Sequence, residues 1–242
     1  LAQQLKLGIV KSVSQQPLPP YLLCCTANGL QLQSSQVRRQ KPVWVDFTRG
    51  KAQYRRLTLA NQRQLLAQAT AVKSNNPAIN SPFIIDATAG LGQDSFILAC
   101  LGCRVHMLER HPVFAALLAD GLKRGLANPS VANIVARLSF SLADAIEQLP
   151  QPGQTQPRPD IVYLDPMFPS RSKSALVKKQ MRIFHELAGA DEDQNLLLAG
   201  ALTVANKRVV VKRPAKAEHL AGIKPSYKLL GKTIRYDVYM SQ

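Results

Sequence analysis

Residues 86–94, Asp86-Ala-Thr-Ala-Gly90-Leu-Gly92-Gln-Asp94, set two acids and two closely spaced glycines between the apolar runs Phe83-Ile-Ile and Ser95-Phe-Ile-Leu-Ala-Cys. The pattern reads as strand, glycine turn, helix. Gly90 and Gly92 let the backbone approach a ligand with no Cβ in the way. The helix that follows directs its unpaired N–H groups toward whatever sits over the turn. An acid at the strand end, Asp86, would repel a phosphate and suits a ligand with a cationic amino acid head. A nucleoside joined to such a head is S-adenosylmethionine. The nicotinamide fingerprint is excluded, because its third glycine is replaced by Ser95.

Two further acids sit at predicted strand ends. Glu109 closes the second strand, where a carboxylate accepts hydrogen bonds from two ribose hydroxyls; the alternative is a solvated strand-end charge. Arg110 beside it either lines an adenine pocket or balances charge. Asp144 follows the third strand, and either receives an adenine amino group or caps the next helix.

Asp165-Pro166-Met167-Phe168-Pro169 follows the apolar strand Ile161-Val-Tyr-Leu and has the composition of a reaction motif. The exocyclic amine of a base is a poor nucleophile, because its lone pair is delocalised into the ring. A carboxylate and a rigid backbone carbonyl can accept its two N–H hydrogens and favour a pyramidal nitrogen. Pro166 fixes the backbone around Asp165, and Phe168 can stack on an extruded base. The competing reading is a polar turn that ends a core strand.

Partners are suggested by charge. The chain has 242 residues and a formal net charge of +16. Residues 1–80 hold eleven basic residues against a single acid, Asp46. Such a balance points to nucleic acid more than to a membrane surface, since no basic amphipathic anchor stands out. Residues 170–182 add Arg171, Lys173, Lys178, Lys179 and Arg182 with no acid. Arg171, Lys173, Lys178 and Lys179 are expected to hold phosphates of the target strand beside the reaction motif, with the N-terminal region gripping phosphates farther away. Lys207, Arg208, Lys212, Arg213 and Lys216 could extend that track, although a single lysine is usually only solvated.

Other chemistries find no pattern. His106, His111, His185 and His219 have no metal-ligand spacing, so no metal site is expected. Cys100 and Cys103 lack a second paired motif, and the four cysteines read as reduced core residues. A serine nucleophile elbow is absent. No apolar run is long enough for a bilayer and no signal-peptide pattern is visible; the reduced thiols fit a cytoplasmic protein.

Positioning these residues requires a strand–helix alternation. Strands are expected at 83–87, 104–109, 138–142, 160–164 and 207–212, with helices at 94–101, 112–127, 144–149, 192–205 and 215–222 and a closing strand pair at 227–230 and 233–240. That order predicts a mainly parallel sheet covered on both faces, with ligands at the carboxyl ends of its strands. Before it, short strand-like runs at 22–26, 29–32 and 43–47, a hairpin signal at Asn28-Gly29 and a helix over 63–72 form a small β-rich region. The breaker cluster 74–82 separates a basic N-terminal region, 1–75, from a larger domain, 76–242.

The segments 86–94, Met107-Leu-Glu-Arg110, Val162-Tyr-Leu-Asp-Pro-Met-Phe-Pro169, Lys173-Ser-Ala-Leu-Val-Lys-Lys179 and Lys207-Arg-Val-Val-Val-Lys-Arg-Pro214 closely resemble the RsmJ family of bacterial 16S ribosomal RNA guanine-N2 methyltransferases. The similarity covers about residues 40 to 240. It implies a class I S-adenosylmethionine-dependent fold, Rossmann-like, with a small N-terminal region. It implies methylation of a guanine amino group in 16S ribosomal RNA, free or in the small-subunit particle. Carried over by motif, it puts cofactor contacts on Gln93, Asp94, Glu109, Arg110 and Asp165, and near Asp144 and Ala145.

Together, the residues and the resemblance predict an RNA guanine-N2 methyltransferase in which Asp165 and the Pro166 carbonyl orient the amine and Phe168 stacks the base. Direct transfer from a sulfonium needs neither a metal nor a covalent enzyme intermediate. Two rivals stand beside this reading. A DNA amino-methyltransferase acting on adenine N6 or cytosine N4 would share the Asp-Pro-x-Phe logic. A non-catalytic RNA-binding protein could keep the fold, against which the intact glycine turn, Glu109 and Asp165 argue.

Overall fold

A computed structural model describes residues 8, 17–36, 41–49, 65–72, 81–149, 158–166 and 193–241. Phe168 and the four cations Arg171, Lys173, Lys178 and Lys179 lie outside the described residues. So does the junction between residues 75 and 76.

The central strands are apolar because both of their faces are covered. β3 (Phe83–Asp86), β4 (Arg104–Glu109), β5 (Leu138–Leu142), β6 (Ile161–Leu164) and β7 (Arg208–Pro214) run parallel. β9 (Ile234–Met240) lies antiparallel to β7 and to β8 (Tyr227–Leu230), giving the sheet order β5-β4-β3-β6-β7-β9-β8. Successive strand residues alternate between two cores: Ile84, Met107 and Tyr163 belong to one, Ile85, Leu108, Val162 and Leu164 to the other. The mainly parallel, two-faced sheet expected from the alternation is the one observed. Its chain path reverses direction between β3 and β6, and the crevice above such a switch point is where ligands bind.

Helices fill both faces. α2 (Gln93–Cys100) and α3 (Pro112–Leu126) cover the first core, while α5 (Ala145–Gln148) and α6 (Gln194–Val204) cover the second. Pro112 opens α3 at a position where its missing N–H costs nothing, and Lys123 and Arg124 sit in the last turn, where cations suit the helix dipole. A short α4 (Ala132–Val135), which the periodicity did not suggest, leads into β5.

In one stretch, 215–222, the expected helix does not form. Only Leu220–Gly222 makes a 3₁₀ turn, with Ala221 and Gly222 at positive φ. The cause lies on β9. Arg235 Nη1 donates to the carbonyls of Ala215 and Ala217 at 2.9 and 2.6 Å, and Arg213 donates to that of Glu218. Those carbonyls would otherwise be taken within the helix, and the buried guanidinium groups need them more.

The N-terminal residues pack into the first core. β1 (Tyr21–Thr26) and β2 (Gly29–Ser34) form the expected hairpin, but its loop is Ala27-Asn28, one residue earlier than the Asn-Gly signal; Gly29, at φ 107, opens β2. Residues 43–47 are not a full strand, since only Val43 bridges to Leu32. Val45 and Phe47 instead settle on α3 and α2. At Gly121 an added Cβ would come within 2.2 Å of Val45 Cγ1, and Phe47 stacks on Phe96 with ring centroids 4.8 Å apart. Asp120 Oδ2 accepts the Leu30 N–H at 3.0 Å. Thus Leu30, Leu32, Val43, Val45 and Phe47 share one core with Phe96, Leu117 and Leu118. α1 (Leu65–Thr70), the described part of the helix expected over 63–72, contributes Leu66 and Ala69 to it.

Candidate active site

The carboxyl ends of β3, β4, β5, β6 and β7 gather the candidate residues. After β3 the chain turns through Gly90 and Gly92 at φ 55 and 68, a left-handed conformation that a Cβ disfavours. A Cβ on Gly92 would also approach Leu118 Cδ1 within 2.9 Å. This second glycine is therefore required by the core beneath the turn as well as by the turn itself.

Asp86 lies under this loop, only 2% exposed. Its Oδ1 accepts the Thr88 N–H at 3.2 Å and its Oδ2 accepts the Ser95 hydroxyl. Burial pushes its carboxyl up to about 7, against the opposing effect of those two hydrogen bonds. Asp86 therefore shapes the turn from below; the sequence reading had set it against a cationic ligand head, and its own chain already occupies both oxygens.

α2 begins at Gly92, which has no side chain, so its first turn lacks the usual side-chain cap. Glu109 at the end of β4 braces the loop, its Oε2 accepting the Gly90 N–H at 2.8 Å and its Oε1 the His111 N–H at 2.7 Å. A carboxylate has about four acceptor positions, so bracing the loop does not by itself exclude acceptance from ribose hydroxyls. Arg110 Nη1 approaches Asp144 Oδ2 at 3.8 Å, and Asp144 Oδ1 caps α5 through the Ile146 N–H at 2.9 Å. Asp144 is therefore a helix cap, the second of the two readings, and with Ala145 it follows the end of β5.

Asp165 and Pro166 end β6. The Asp165 N–H donates to Thr88 Oγ1 at 2.6 Å, which ties this turn to the glycine turn. Lys212 on β7 puts Nζ 2.7 Å from Asp165 Oδ2 and 2.7 Å from Asp94 Oδ2, and the Tyr163 hydroxyl donates to the same Asp94 oxygen at 2.8 Å. Burial alone would pull the Lys212 ammonium down; Asp165 and Asp94 outweigh it and hold the group above the ordinary lysine range. Burial lifts the Tyr163 hydroxyl well above its usual value, with Asp94 and Asp165 adding to the effect. Asp165 is drawn upward by burial and by Asp94, and Lys212 opposes both.

Lys212, Tyr163 and Thr88 were not recognised as site residues from sequence. Lys212 was placed on a possible RNA track, and the structure moves it into the acid cluster. A signal existed: a lysine closing the apolar run Val209-Val-Val needs a partner if it is buried. Which acid provides one depends on the β6–β7 register, Leu164 opposite Val211. The remaining residues of that track also part company. Arg213 is buried against Glu218, and Lys207 pairs with Asp160 at the opposite end of the sheet. Arg208 donates to the Tyr227 hydroxyl, and only Lys216 is simply exposed.

Cys103 is fully buried and its thiol pushed by burial up to about 12, while Cys25 is exposed on the hairpin, unlike the core position expected of it. Among the described residues no cluster of His, Cys, Asp or Glu could hold a metal ion, and no helix is long and apolar enough to cross a membrane.

The donor set fits S-adenosylmethionine. The uncapped start of α2 offers N–H groups to a carboxylate, Glu109 offers acceptors to a ribose, and Asp94 and Asp165 supply negative charge near a cation.

Residues 3–241 match the family described as "Putative SAM-dependent methyltransferase". The chain is 45% identical over 241 residues to "Ribosomal RNA small subunit methyltransferase J" of Thioalkalivibrio sulfidiphilus, covering 100% of this chain and 91% of that protein. It is 50% identical over 211 residues to the protein of the same name from Stutzerimonas stutzeri, covering 87% and 80%. The crystal structure of a SAM-dependent methyltransferase from Neisseria gonorrhoeae superposes with a TM-score of 0.73 at 42% identity, covering 94% of this chain and 85% of that one.

Proposed function

The chain belongs to the ribosomal RNA small subunit methyltransferase J family of S-adenosylmethionine-dependent enzymes, and on that premise we propose that it methylates the exocyclic N2 amine of a guanine in 16S ribosomal RNA. S-adenosylmethionine supplies an electrophilic methyl whose leaving group is a neutral thioether. The protein's task is to hold the amine in line with that methyl and to desolvate both.

Asp165 Oδ1 and the Pro166 carbonyl accept the two amine hydrogens and steer its lone pair toward the methyl. Phe168, outside the described residues, stacks the extruded base. Glu109 and Arg110 hold the ribose and adenine side of the cofactor, with Asp144 and Ala145 at the ring, and Gln93 and Asp94 at the start of α2 hold its amino acid end. Gly90, Gly92 and Asp86 give the loop its shape. Arg171, Lys173, Lys178 and Lys179 neutralise phosphates of the target strand, presented as RNA alone or within the small-subunit particle, in the cytoplasm.

One observation supports the reading: the Asp165 N–H donates to Thr88 Oγ1, so the Asp-Pro turn lies against the glycine turn at the sheet's switch point. The test is to incubate the protein with labelled S-adenosylmethionine and small-subunit RNA from cells lacking the enzyme, then digest and identify the labelled nucleoside. N2-methylguanosine is expected. Label on another base, or on DNA alone, overturns the base assignment.

A further inference from the structure

A lysine set between two carboxylates of a candidate active site, with neither free of it, calls for a role. Lys212 is the residue of β7 level with Asp165, one position beyond the Leu164–Val211 pair. Its ammonium lies 2.7 Å from Asp165 Oδ2 and 2.7 Å from Asp94 Oδ2, with 23% of its side chain exposed. An ammonium presents three donors and accepts nothing, so it cannot itself receive a proton from an amine while charged. It can fix which oxygen of Asp165 faces the substrate. With Oδ2 taken by Lys212 and the backbone N–H donating to Thr88, the residue is held at two points, one on its carboxylate and one on its main chain. Oδ1 is left as the acceptor.

We propose that Lys212 is a positioning residue for methyl transfer: it clamps Asp165 to Asp94 and presents Asp165 Oδ1 to the amine. This rests on the reading of Asp165 as the amine acceptor. Asp94 joins the cofactor side of the site to the same cation, so the clamp also ties the start of α2 to the reaction turn.

Among the described residues, the groups facing Asp165 come from several neighbouring elements. They are Lys212 on β7, Asp94 on α2, Asp86 on β3 and Tyr163 on β6, with Tyr236 of β9 paired opposite Lys212. Among these described groups Lys212 is the one cation. Asp165 and Asp94 are the acids it bridges, so its removal leaves Asp165 beside the like charge of Asp94 in a partly buried place. An acid that loses such a counterion rises by about one to three pH units. The ionised acceptor is then less populated as pH falls, and the protonated carboxyl accepts the amine hydrogen more weakly.

The test compares Lys212→Met, Lys212→Arg and Asp165→Asn in single-turnover methylation of small-subunit RNA from pH 6 to pH 9, with saturating cofactor. Lys212→Met is expected to lose about tenfold or more at the acid end and to regain much of it at the alkaline end, its acid limb displaced upward by about one to three units. Lys212→Arg, which keeps the charge, is expected to retain the wild-type limb at a reduced rate. The loss should appear in the rate at saturation rather than in KM for RNA. A Lys212→Met profile parallel to wild type, with Asp165→Asn inactive, overturns the clamp and leaves the Asp165 assignment standing. Asp165→Asn within about threefold of wild type overturns the Asp165 assignment itself. Thermal melting of each variant separates a folding defect: a Lys212→Met protein that melts early and shows a rate deficit independent of pH also counts against the clamp.

Discussion

Thr88 Oγ1 accepts the backbone N–H of Asp165 at 2.6 Å, so the turn after β3 and the turn after β6 form one rigid surface. The Thr88 N–H in turn donates to Asp86 at 3.2 Å, and the Ala87 N–H donates to the Tyr163 carbonyl at 3.0 Å. Three short bonds therefore set the distance between the place for the cofactor and the place for the amine. In a direct transfer that distance governs the rate.

Asp165→Ala is expected to abolish methyl transfer while leaving the fold intact. Losing transition-state hydrogen bonds to a charged acceptor costs about 2.7–4 kcal/mol, a rate loss of roughly 10²–10³. Single-turnover kinetics check it, and a rate within about threefold of wild type would refute the assignment.

Glu109→Ala should weaken cofactor binding by about 1.5–3 kcal/mol, as expected for removal of a charged acceptor. It also strips the Gly90 and His111 N–H groups of their partner, so the loop it braces should loosen and the melting temperature fall. Calorimetric titration with S-adenosylmethionine is the measurement. An unchanged dissociation constant would reduce Glu109 to a loop brace.

Asp86 makes stability depend on pH in an unusual direction. Burial holds its native carboxyl at about 7, while in the unfolded chain it ionises near its ordinary 3.8. Between these values the native state keeps a proton that the unfolded chain has lost. The group's contribution to stability therefore declines as pH rises through this window and is level above it. Asp86→Asn removes the decline, so its stability relative to wild type should grow by up to about 4 kcal/mol across the window. Denaturant unfolding at several pH values checks this, and a constant offset would show that Asp86 ionises normally.

Gly121→Ala tests the seating of the N-terminal residues on α3. Alanine ordinarily gains about 1 kcal/mol over glycine inside a helix. Here its Cβ meets Val45 Cγ1 at 2.2 Å, and overpacking of that kind costs about 1–3 kcal/mol. The net change should be destabilising, and smaller when Val45→Ala is made in the same protein. Strictly additive costs in the double variant would mean that the helix does not press on Val45.

Neutralising three of Arg171, Lys173, Lys178 and Lys179 should weaken RNA binding and flatten its salt dependence by roughly two units, at about 0.7 per phosphate contact on single strands. Cofactor affinity should barely move, since the cofactor turn is built from other segments. RNA binding across a salt series is the check. Parallel log–log lines for variant and wild type would place the RNA track elsewhere.

The sequence alone carried the order of strands and helices, because each central strand is a short apolar run buried on both faces and each is closed by a glycine, a proline or an acid. It also carried the strand-end residues Glu109, Asp144 and Asp165, since a polar residue closing an apolar strand has few places to be. Tertiary structure decided the partnerships. Lys212 is 47 residues from Asp165 along the chain and becomes its neighbour only through the β6–β7 register. The 215–222 segment has helical composition, yet Arg235 takes its carbonyls from across a hairpin. Asp86 has the look of a ligand-facing acid and is buried because Ser95 and Thr88 fold over it. Local pattern follows from the covalent chain and its periodicity. Which charges meet, and which are removed from water, follows from strand pairing and packing that no single segment contains.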